Sequence, residues 1–382
     1  MSPTLTIENE PARVKSAATP SKPLKPVLLI NQERVPHYRV PVYGYMGEYM
    51  QREGFALTVV SEGVQKGNSH AVEFDHREMP LNFINLSRLV RELDPDVIIF
   101  WVRLRHLYLF PLLFLARFLG KRTIYWGHGT DLSYQKGMWF KRFANNAEYK
   151  IFDALVLYGE HLKKNVEARF YPKTYIANNT LAFSGDGMPP KDKAGLLAKY
   201  GITTPKNIIC CGRMQRRKRL EDLFGAFEQL HREDTGLVLV GPDSDGILKD
   251  VKGKNIHVLG PIYGEERLDL LAACDVFCLP GAVGLSIVDA FHCGLPLVTE
   301  DGDESPEIMY LKDGVNGFVV PRADVKALAA KLELLLDNDS LRQKFSQAAR
   351  NEINTNGHMD RMCEGFVEAL RAVEAKVTGG GR

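Results

Sequence analysis

Short runs of apolar residues alternate with helical patterns along most of the chain. Between two of the runs, residues 43–54 have a helical spacing that ends at Gly54, where a helix would close. The runs of the first half are VLLI (27–30), ALTVVS (56–61), DVIIFW (96–101), RTIYW (122–126) and ALVLY (154–158). Because strands buried on both faces of a parallel sheet read as nearly continuous apolar runs, the pattern predicts parallel sheets covered by helices.

The same rhythm restarts after a polar segment, SGDGMPPKDK (184–193), which is rich in Gly and Pro and is typical of a linker. The second series is NIICCG (207–212), GLVLVG (236–241), NIHVLG (255–260), DVFCLP (275–280) and LPLVT (295–299). A chain of 382 residues is also longer than one core usually holds. We therefore predict two Rossmann-like, doubly wound α/β domains, 27–190 and 205–360, facing across a cleft. A single large sheet is the alternative, and the boundary near 184–206 argues against it.

The two ends of the chain are predicted to lie outside these domains. Residues 1–26 contain five prolines among Ser, Thr and Lys and have no apolar segment of the kind a secretory signal needs. This composition indicates a flexible tail. Residues 361–382 are expected to form a C-terminal helix and tail.

Composition excludes some classes of function. The net charge is +2, too balanced for the concentrated basic face of a nucleic-acid-binding protein. The six cysteines include no C-x-x-C pair, and most occur in apolar segments, so we expect buried thiols in a reducing compartment. The triplets 243–245 (DSD) and 301–303 (DGD) are too short to indicate a metal site, and none is predicted. These observations favour a cytoplasmic protein.

Five cations crowd one predicted βα turn in CCGRMQRRKRLEDLFGAFEQL (210–230), where a strand runs through Gly212 into an amphipathic helix. They are Arg213, Arg216, Arg217, Lys218 and Arg219. Mutual repulsion and the positive end of the helix dipole make such a cluster costly unless an anion binds there. The alternative is a solvated charge run at a helix start.

A second turn, in PGAVGLSIVDAFHCGLP (280–296), carries Gly281 and Gly284 before a short helix. Glycines permit close approach of the backbone, and the first N–H groups of a helix favour phosphate. Asp289, about one helical turn further on, could accept two hydrogen bonds from a ribose diol. Alternatively, the glycines only form the turn and Asp289 is a solvated helix residue.

Taken in order, four segments resemble the GT-B glycosyltransferases, specifically the retaining family called glycosyltransferase family 4. GRMQRRK (212–218) is similar to the family's G-R-x-x-x-x-K element. The segments GPIYGEERLDLLAACDVFCLPG (260–281) and VGLSIVDAFHCGLPLVT (283–299) resemble those around its donor site. Residues 305–350 resemble its C-terminal signature. The resemblance implies a GT-B fold, with the donor in the C-terminal domain and the acceptor in the N-terminal domain.

The resemblance also implies roles for individual residues. Arg213 and Lys218, beside Gly212, would clamp the donor diphosphate. Backbone amides of Gly284, Leu285 and Ser286 would lie near the phosphates, and Asp289 would hold the ribose.

Gly281 departs from the family pattern. It occupies the position where the resemblance implies the first Glu of an E-x7-E motif, which contacts the transferred sugar. The departure leaves both the anchoring of the sugar and the stereochemical outcome open.

Two histidines of the N-terminal half are candidate catalytic residues. In YWGHGTDLS (125–133), His128 lies where the resemblance implies a histidine near the transferred sugar, and Asp131 would orient His128 or the acceptor. His37, in the first βα loop, could contact the acceptor or act as a general base in an inverting variant. The alternative is that His37 only caps the following helix.

The resemblance implies a glycosyltransferase of polysaccharide or glycoconjugate biosynthesis, and by resemblance we expect retention of the anomeric configuration. We expect a UDP- or GDP-linked sugar as donor, a glycan or lipid-linked oligosaccharide as acceptor, and neither cofactor nor metal. Basic and aromatic residues interleave in 101–122 and more closely in 136–143, which favours contact with the inner face of the cytoplasmic membrane. For 101–122 the alternative is a buried helix rimmed by cations. A sugar-nucleotide epimerase and a non-catalytic sugar-nucleotide-binding protein are the alternatives.

Overall fold

The structure, a computed structural model, describes residues 23–31, 33–66, 68, 70–101, 108–129, 149–183, 185–302 and 305–378. These residues form two α/β domains, each built on a sheet whose paired strands all run parallel. The predicted fold class is therefore confirmed.

The N-terminal sheet has seven strands in the order β3-β2-β1-β4-β5-β6-β7. They are β1 (Lys25–Ile30), β2 (Phe55–Ser61), β3 (Asp75–Glu78), β4 (Val97–Phe100), β5 (Arg122–Gly127), β6 (Ala154–Leu157) and β7 (Thr174–Ile176). The described helices of this half are α1 (Val40–Arg52), α2 (Phe83–Leu93) and α3 (Leu109–Phe118).

The C-terminal sheet has six strands in the order β10-β9-β8-β11-β12-β13. They are β8 (Lys206–Cys211), β9 (Thr235–Val240), β10 (Ile256–Gly260), β11 (Val276–Cys278), β12 (Leu297–Glu300) and β13 (Gly317–Val320). The helices are α4 (Lys193–Ala198), α5 (Leu220–Leu230), α6 (Gly264–Ala272), α7 (Ser286–His292), α8 (Val325–Asp337), α9 (Asp339–Asn356) and α10 (Met359–Thr378).

All ten apolar runs contain a strand, and the predicted helix at 43–54 is observed as α1, with Gly54 in a left-handed conformation (φ 93°) just beyond its end. The pattern missed β3, β7 and β13, which all lie at the edges of the sheets. Edge strands need less apolar surface because one side has no neighbouring strand. The sequence of β3, DHRE, has no apolar residue at all.

The two ends of the chain differ in how far the structure describes them. Residues 1–22, most of the predicted tail, lie outside the described residues, and Lys25 and Pro26 already belong to β1. The C-terminal helix α10 packs into the core of the N-terminal domain. Its side chains Met362, Phe366 and Leu370 are fully buried there. The chain thus returns to its first domain after completing the second.

The predicted linker is held against the C-terminal domain. The ring of Phe183 stacks on that of His292 at the end of α7, with the ring centroids 3.8 Å apart. Arg350 of α9 donates hydrogen bonds to the carbonyl oxygens of Gly187 (3.0 Å) and Cys293 (2.7 Å). These contacts anchor the segment between the two sheets to α7 and α9.

Candidate active site

The side chain of Lys218 is buried where two loops of the C-terminal domain meet. It is only 5% exposed, and its Nζ donates a hydrogen bond to the carbonyl oxygen of Val283 at 3.1 Å. A methyl group on Gly212, just after β8, would lie 3.9 Å from that Nζ and 2.9 Å from Oγ of Ser286. The basic turn, the glycine after β8 and the first residue of α7 therefore converge at one point.

The two loops are also joined through their backbones. The N–H of Gly281 donates to the carbonyl oxygen of Lys218 at 2.9 Å, and the N–H of Ala282 donates to that of Arg217 at 3.1 Å. A Cβ atom at position 281 would lie 2.2 Å from the Arg217 oxygen. Position 281 therefore has no room for a side chain, which gives a steric reason for glycine there.

The arginines of the basic turn have different surroundings. Arg219 forms ion pairs with Asp222 (2.7 Å) and with the buried Glu300 of β12 (2.8 Å). It therefore fixes the start of α5 to the sheet. Arg213 is exposed, and its positive charge contributes to lowering the pKa of His37 in the N-terminal domain.

The N-terminal end of α7 carries the three predicted backbone amides. The amide of Gly284, a residue with φ of 60°, donates to Oγ of Ser305 at 3.1 Å. Leu285 and Ser286 follow at the first turn of α7, where backbone N–H groups have no partner within the helix. The Gly284 amide thus has a protein acceptor that the sequence did not reveal.

Asp289 is buried one turn into α7 and is bound to an arginine. Its Oδ1 accepts a hydrogen bond from Nη2 of Arg267, on α6, at 2.8 Å, and the residue is 4% exposed. Burial raises the pKa of the Asp289 carboxyl, and the charge of Arg267 acts in the opposite direction. A ribose diol at this carboxylate would share it with Arg267, a residue that the sequence analysis missed.

His37 lies in the 3₁₀ turn His37–Arg39 before α1 and reaches the other domain. Its ring contacts the ring of Tyr263 edge to face, with the centroids 5.2 Å apart. Burial lowers the pKa of His37, a hydrogen bond with the Gln65 side chain acts in the opposite direction, and the positive charges of Arg267 and Arg213 lower it further. The first βα loop of the N-terminal domain thus adjoins the donor half of the cleft.

We expect the imidazole of His37 in the free protein to titrate below the ordinary histidine pKa of about 6.5. On acidification the unfolded chain takes up this proton first. The protein therefore loses stability as the pH falls from about 6.5 to the folded-state pKa. NMR titration of the histidine signals measures the pKa directly, and Arg213→Met should raise it. A midpoint at or above 6.5 would contradict the expectation.

His128 follows β5 directly, at the carboxyl end of the strands of the N-terminal sheet. Its ring packs edge to face on Tyr158, which follows β6, with the centroids 4.5 Å apart. The other predicted member of this pair, Asp131, lies outside the described residues, as does the basic and aromatic segment 136–143.

Near His37, a buried network of hydrogen bonds between polar side chains links the two domains, and the sequence did not predict it. Nη2 of Arg39 donates to Oδ1 of Asn179 at 2.5 Å, and Nδ2 of Asn179 donates to Glu307. The hydroxyl of Tyr310 donates to the carbonyl oxygen of Asn179 at 3.0 Å. Because Arg39 precedes α1 while Glu307 and Tyr310 belong to the C-terminal half, these bonds fix the two domains relative to each other.

The described parts of the chain contain no cluster of three or more His, Cys, Asp or Glu side chains that could hold a metal ion. In the triplet 243–245, both acids accept hydrogen bonds from backbone N–H groups. Asp243 accepts from the N–H groups of Ile247 and Leu248, and Asp245 accepts from that of Arg216. The six cysteines are buried and unpaired, as predicted.

Comparison with known proteins agrees with this geometry. Residues 193–352 match the family model of the glycosyl transferases group 1. The chain is 26% identical over 231 residues, 56% of each chain, to a GDP-mannose-dependent monoacylated alpha-(1-6)-phosphatidylinositol monomannoside mannosyltransferase from Corynebacterium glutamicum. The chain spans about half the length of the curated relatives it matches.

Solved structures resemble the chain over nearly its whole length. A glycosyltransferase from Rickettsia africae ESF-5 superposes with a TM-score of 0.75 at 16% identity, covering 92% of this chain and 98% of the other. Anabaena Alr3699/HepE, solved in complex with UDP-glucose, gives a TM-score of 0.72 at 15% identity, covering 91% and 99%.

The two α/β domains, with loops converging at the carboxyl ends of the second sheet, have the GT-B fold. Within that fold, residues 193–352 are similar to the glycosyl transferases group 1, and one relative of similar sequence is a mannosyltransferase.

Proposed function

We propose that the protein transfers a sugar from a nucleoside-diphosphate sugar to a glycan or lipid-linked acceptor in glycoconjugate biosynthesis. The observation that carries the proposal is the convergence of Lys218, Gly212 and Ser286 at one point of the cleft. A buried ammonium beside glycine backbone and the first turn of a helix suits a diphosphate. Two similar proteins support these substrates. One is a GDP-mannose-dependent mannosyltransferase whose name gives a phosphatidylinositol mannoside, a lipid, as acceptor, and the other was solved with UDP-glucose.

Cleavage of the anomeric bond leaves new negative charge on the nucleoside diphosphate. The buried Lys218 and the exposed Arg213 would stabilise that charge. Such electrostatic stabilisation is strongest where water is excluded, which favours Lys218 as the main contributor. His128 would face the transferred sugar from the other domain. We propose that these cations make a metal ion at the phosphates unnecessary, that the configuration is retained, and that the reaction takes place in the cytoplasm.

The test combines nucleotide binding with turnover. UDP, GDP and ADP are compared by thermal shift, and the matching base should raise the melting temperature in proportion to the logarithm of its concentration. Release of that nucleoside diphosphate from its sugar is then measured with and without acceptors, in the presence of EDTA. Acceptor-dependent release and an unchanged anomeric configuration by NMR are expected.

Four other outcomes would contradict the proposed function or the proposed mechanism. Binding without release would indicate a non-catalytic sugar-nucleotide-binding protein, and a changed sugar without acceptor would indicate an epimerase. Loss of release in EDTA would contradict the metal-independent mechanism, and an inverted product that is lost in His37→Ala would favour a general base at His37.

A further inference from the structure

Asn179 lies just after β7, where the chain leaves the N-terminal sheet, and each of its polar groups has a hydrogen-bond partner. Its Oδ1 accepts from Nη2 of Arg39 at 2.5 Å, and its Nδ2 donates to Glu307. Its backbone N–H donates to the carbonyl oxygen of Tyr158 at 3.0 Å, and its own carbonyl oxygen accepts from the hydroxyl of Tyr310 at 3.0 Å. Asn179 therefore joins two loops of the N-terminal domain to one turn of the C-terminal half.

The side chains of Arg39, Asn179 and Glu307, which we call the Asn179 network, are buried. They are 7%, 3% and 4% exposed. Among the described residues, Nη1 of Arg39 is buried and has no hydrogen-bond partner. A buried guanidinium that is only partly satisfied stabilises a fold less than an apolar side chain would, so stability alone does not explain an arginine here. Such networks instead restrict how the segments that supply them can be arranged.

At one end, Arg39 contacts the aromatic residues beside His128. Its guanidinium carbon lies 5.1 Å from the ring centre of Trp126 and 5.9 Å from that of Tyr158. The ring of Tyr158 packs edge to face on the ring of His128, and Trp126 belongs to the strand that ends just before His128. Arg39 is thus linked to His128 through the ring of Tyr158.

At the other end, the turn that carries Glu307 begins beside the predicted phosphate-binding loop. Ser305 precedes this turn, Pro306–Tyr310, and its Oγ accepts a hydrogen bond from the amide of Gly284 at 3.1 Å. The Asn179 network therefore connects the Gly284 loop with the ring that supports His128. None of its three side chains belongs to the groups that we expect to contact the donor.

We propose that Arg39 and Asn179 are positioning residues for sugar transfer, which hold His128 in a fixed place relative to the Gly284 loop. This inference rests on the proposed function, because it concerns the transfer step. A misplacement of about 1 Å between reacting groups can cost on the order of 10²-fold in rate. Loss of the network should therefore lower kcat and leave the affinity for the nucleoside diphosphate close to that of the wild type.

Arg39→Met removes the guanidinium and keeps an apolar side chain in its place. We expect kcat for acceptor-dependent nucleotide release to fall about tenfold to hundredfold, while calorimetry gives a nearly unchanged dissociation constant for the nucleoside diphosphate. Arg39→Lys, which can still donate to Asn179, should recover part of kcat. Arg232→Met is the matched control, because Arg232 forms its ion pairs with Asp234 and Asp337 inside the C-terminal domain, and it should keep the wild-type kcat.

A distance measurement tests the same inference without the transfer reaction. Spin labels are attached to cysteines introduced at Arg91 on α2 and Glu333 on α8, which are exposed positions of the two domains, while the six native cysteines are buried. Arg39→Met should broaden or shift the distance distribution between the labels. Tyr310→Phe, which removes only the hydroxyl bonded to Asn179, is a milder variant and should act in the same direction if Arg39→Met does not fold.

Thermal unfolding of each variant checks that the fold is intact. A folded Arg39→Met protein with the wild-type kcat, or with the wild-type distance distribution, would overturn the inference. An equal loss of kcat and of nucleotide affinity would also overturn it, because Arg39 would then act on donor binding. A wild type without acceptor-dependent release would instead refute the proposed function and the role in transfer, and the distance distributions would still decide whether the Asn179 network fixes the two domains.

Discussion

Lys218→Met is expected to lower kcat/KM for the donor about 10²- to 10³-fold, the usual loss when one charge-stabilising group is removed from an active site. The ammonium is buried between the turn after β8 and the turn after β11, so no solvent cation replaces it. Methionine retains the apolar stem, which separates loss of charge from loss of packing. Steady-state kinetics and calorimetric binding of the nucleoside diphosphate provide the measurement.

Arg216→Met is the matched control for this prediction. Arg216 is an exposed cation of the same turn, and the hydrogen bond to Asp245 uses its backbone N–H rather than its side chain. Its removal should change kcat/KM less than about threefold, the effect of a well-solvated surface charge. Full turnover by Lys218→Met, or an equal loss in both variants, would contradict the role of Lys218 as the cation that binds the leaving diphosphate.

Gly281→Glu, which would restore the acid implied by the family resemblance, is expected to damage the protein instead. Its Cβ atom would lie 2.2 Å from the Arg217 carbonyl oxygen and 2.7 Å from the carbonyl carbon of Lys218. Both are backbone atoms and cannot rotate away. We expect the free energy of unfolding to fall by about 3 kcal/mol, the upper part of the range for overpacking, and nucleotide binding to weaken because the Lys218 turn is displaced.

Urea unfolding and the nucleotide thermal shift measure the two effects. Gly281→Ala should show most of the loss, because the clash begins at Cβ and not at the carboxylate. Gly185→Ala is the control, since a methyl group there would meet nothing within 4 Å. A Gly281→Glu protein with normal stability and higher turnover would show that the loop opens and that the missing acid limits the reaction.

Much of the architecture could be predicted because central parallel strands are buried on both faces. Runs such as NIICCG and GLVLVG have to be apolar in that environment, and they correspond to β8 and β9. The predicted basic turn and glycine turn also meet, because both follow strands of one sheet at its carboxyl edge. Edge strand β3 was not predicted because three of its four residues are exposed and none needs to be apolar.

The contacts within the site could not be predicted in the same way. Arg267 and Asp289 are 22 positions apart, Arg39 and Asn179 are 140 apart, and Asn179 and Glu307 are 128 apart. Each side chain looks like an ordinary charged or polar residue in its own segment. Only the packing of helices and loops from different parts of the chain shows which groups become buried and which partner then stabilises them.

By itself, the sequence determined the parallel sheets, the boundary between the two series of strands, and the turns that carry Lys218 and Ser286. These follow from local periodicity and from the chemistry of short segments. Only the tertiary structure decided that Asp289 is paired with Arg267, that position 281 has no room for a side chain, and that α10 completes the N-terminal core. Excluded volume and burial depend on atoms that are distant in the chain, so no local pattern encodes them.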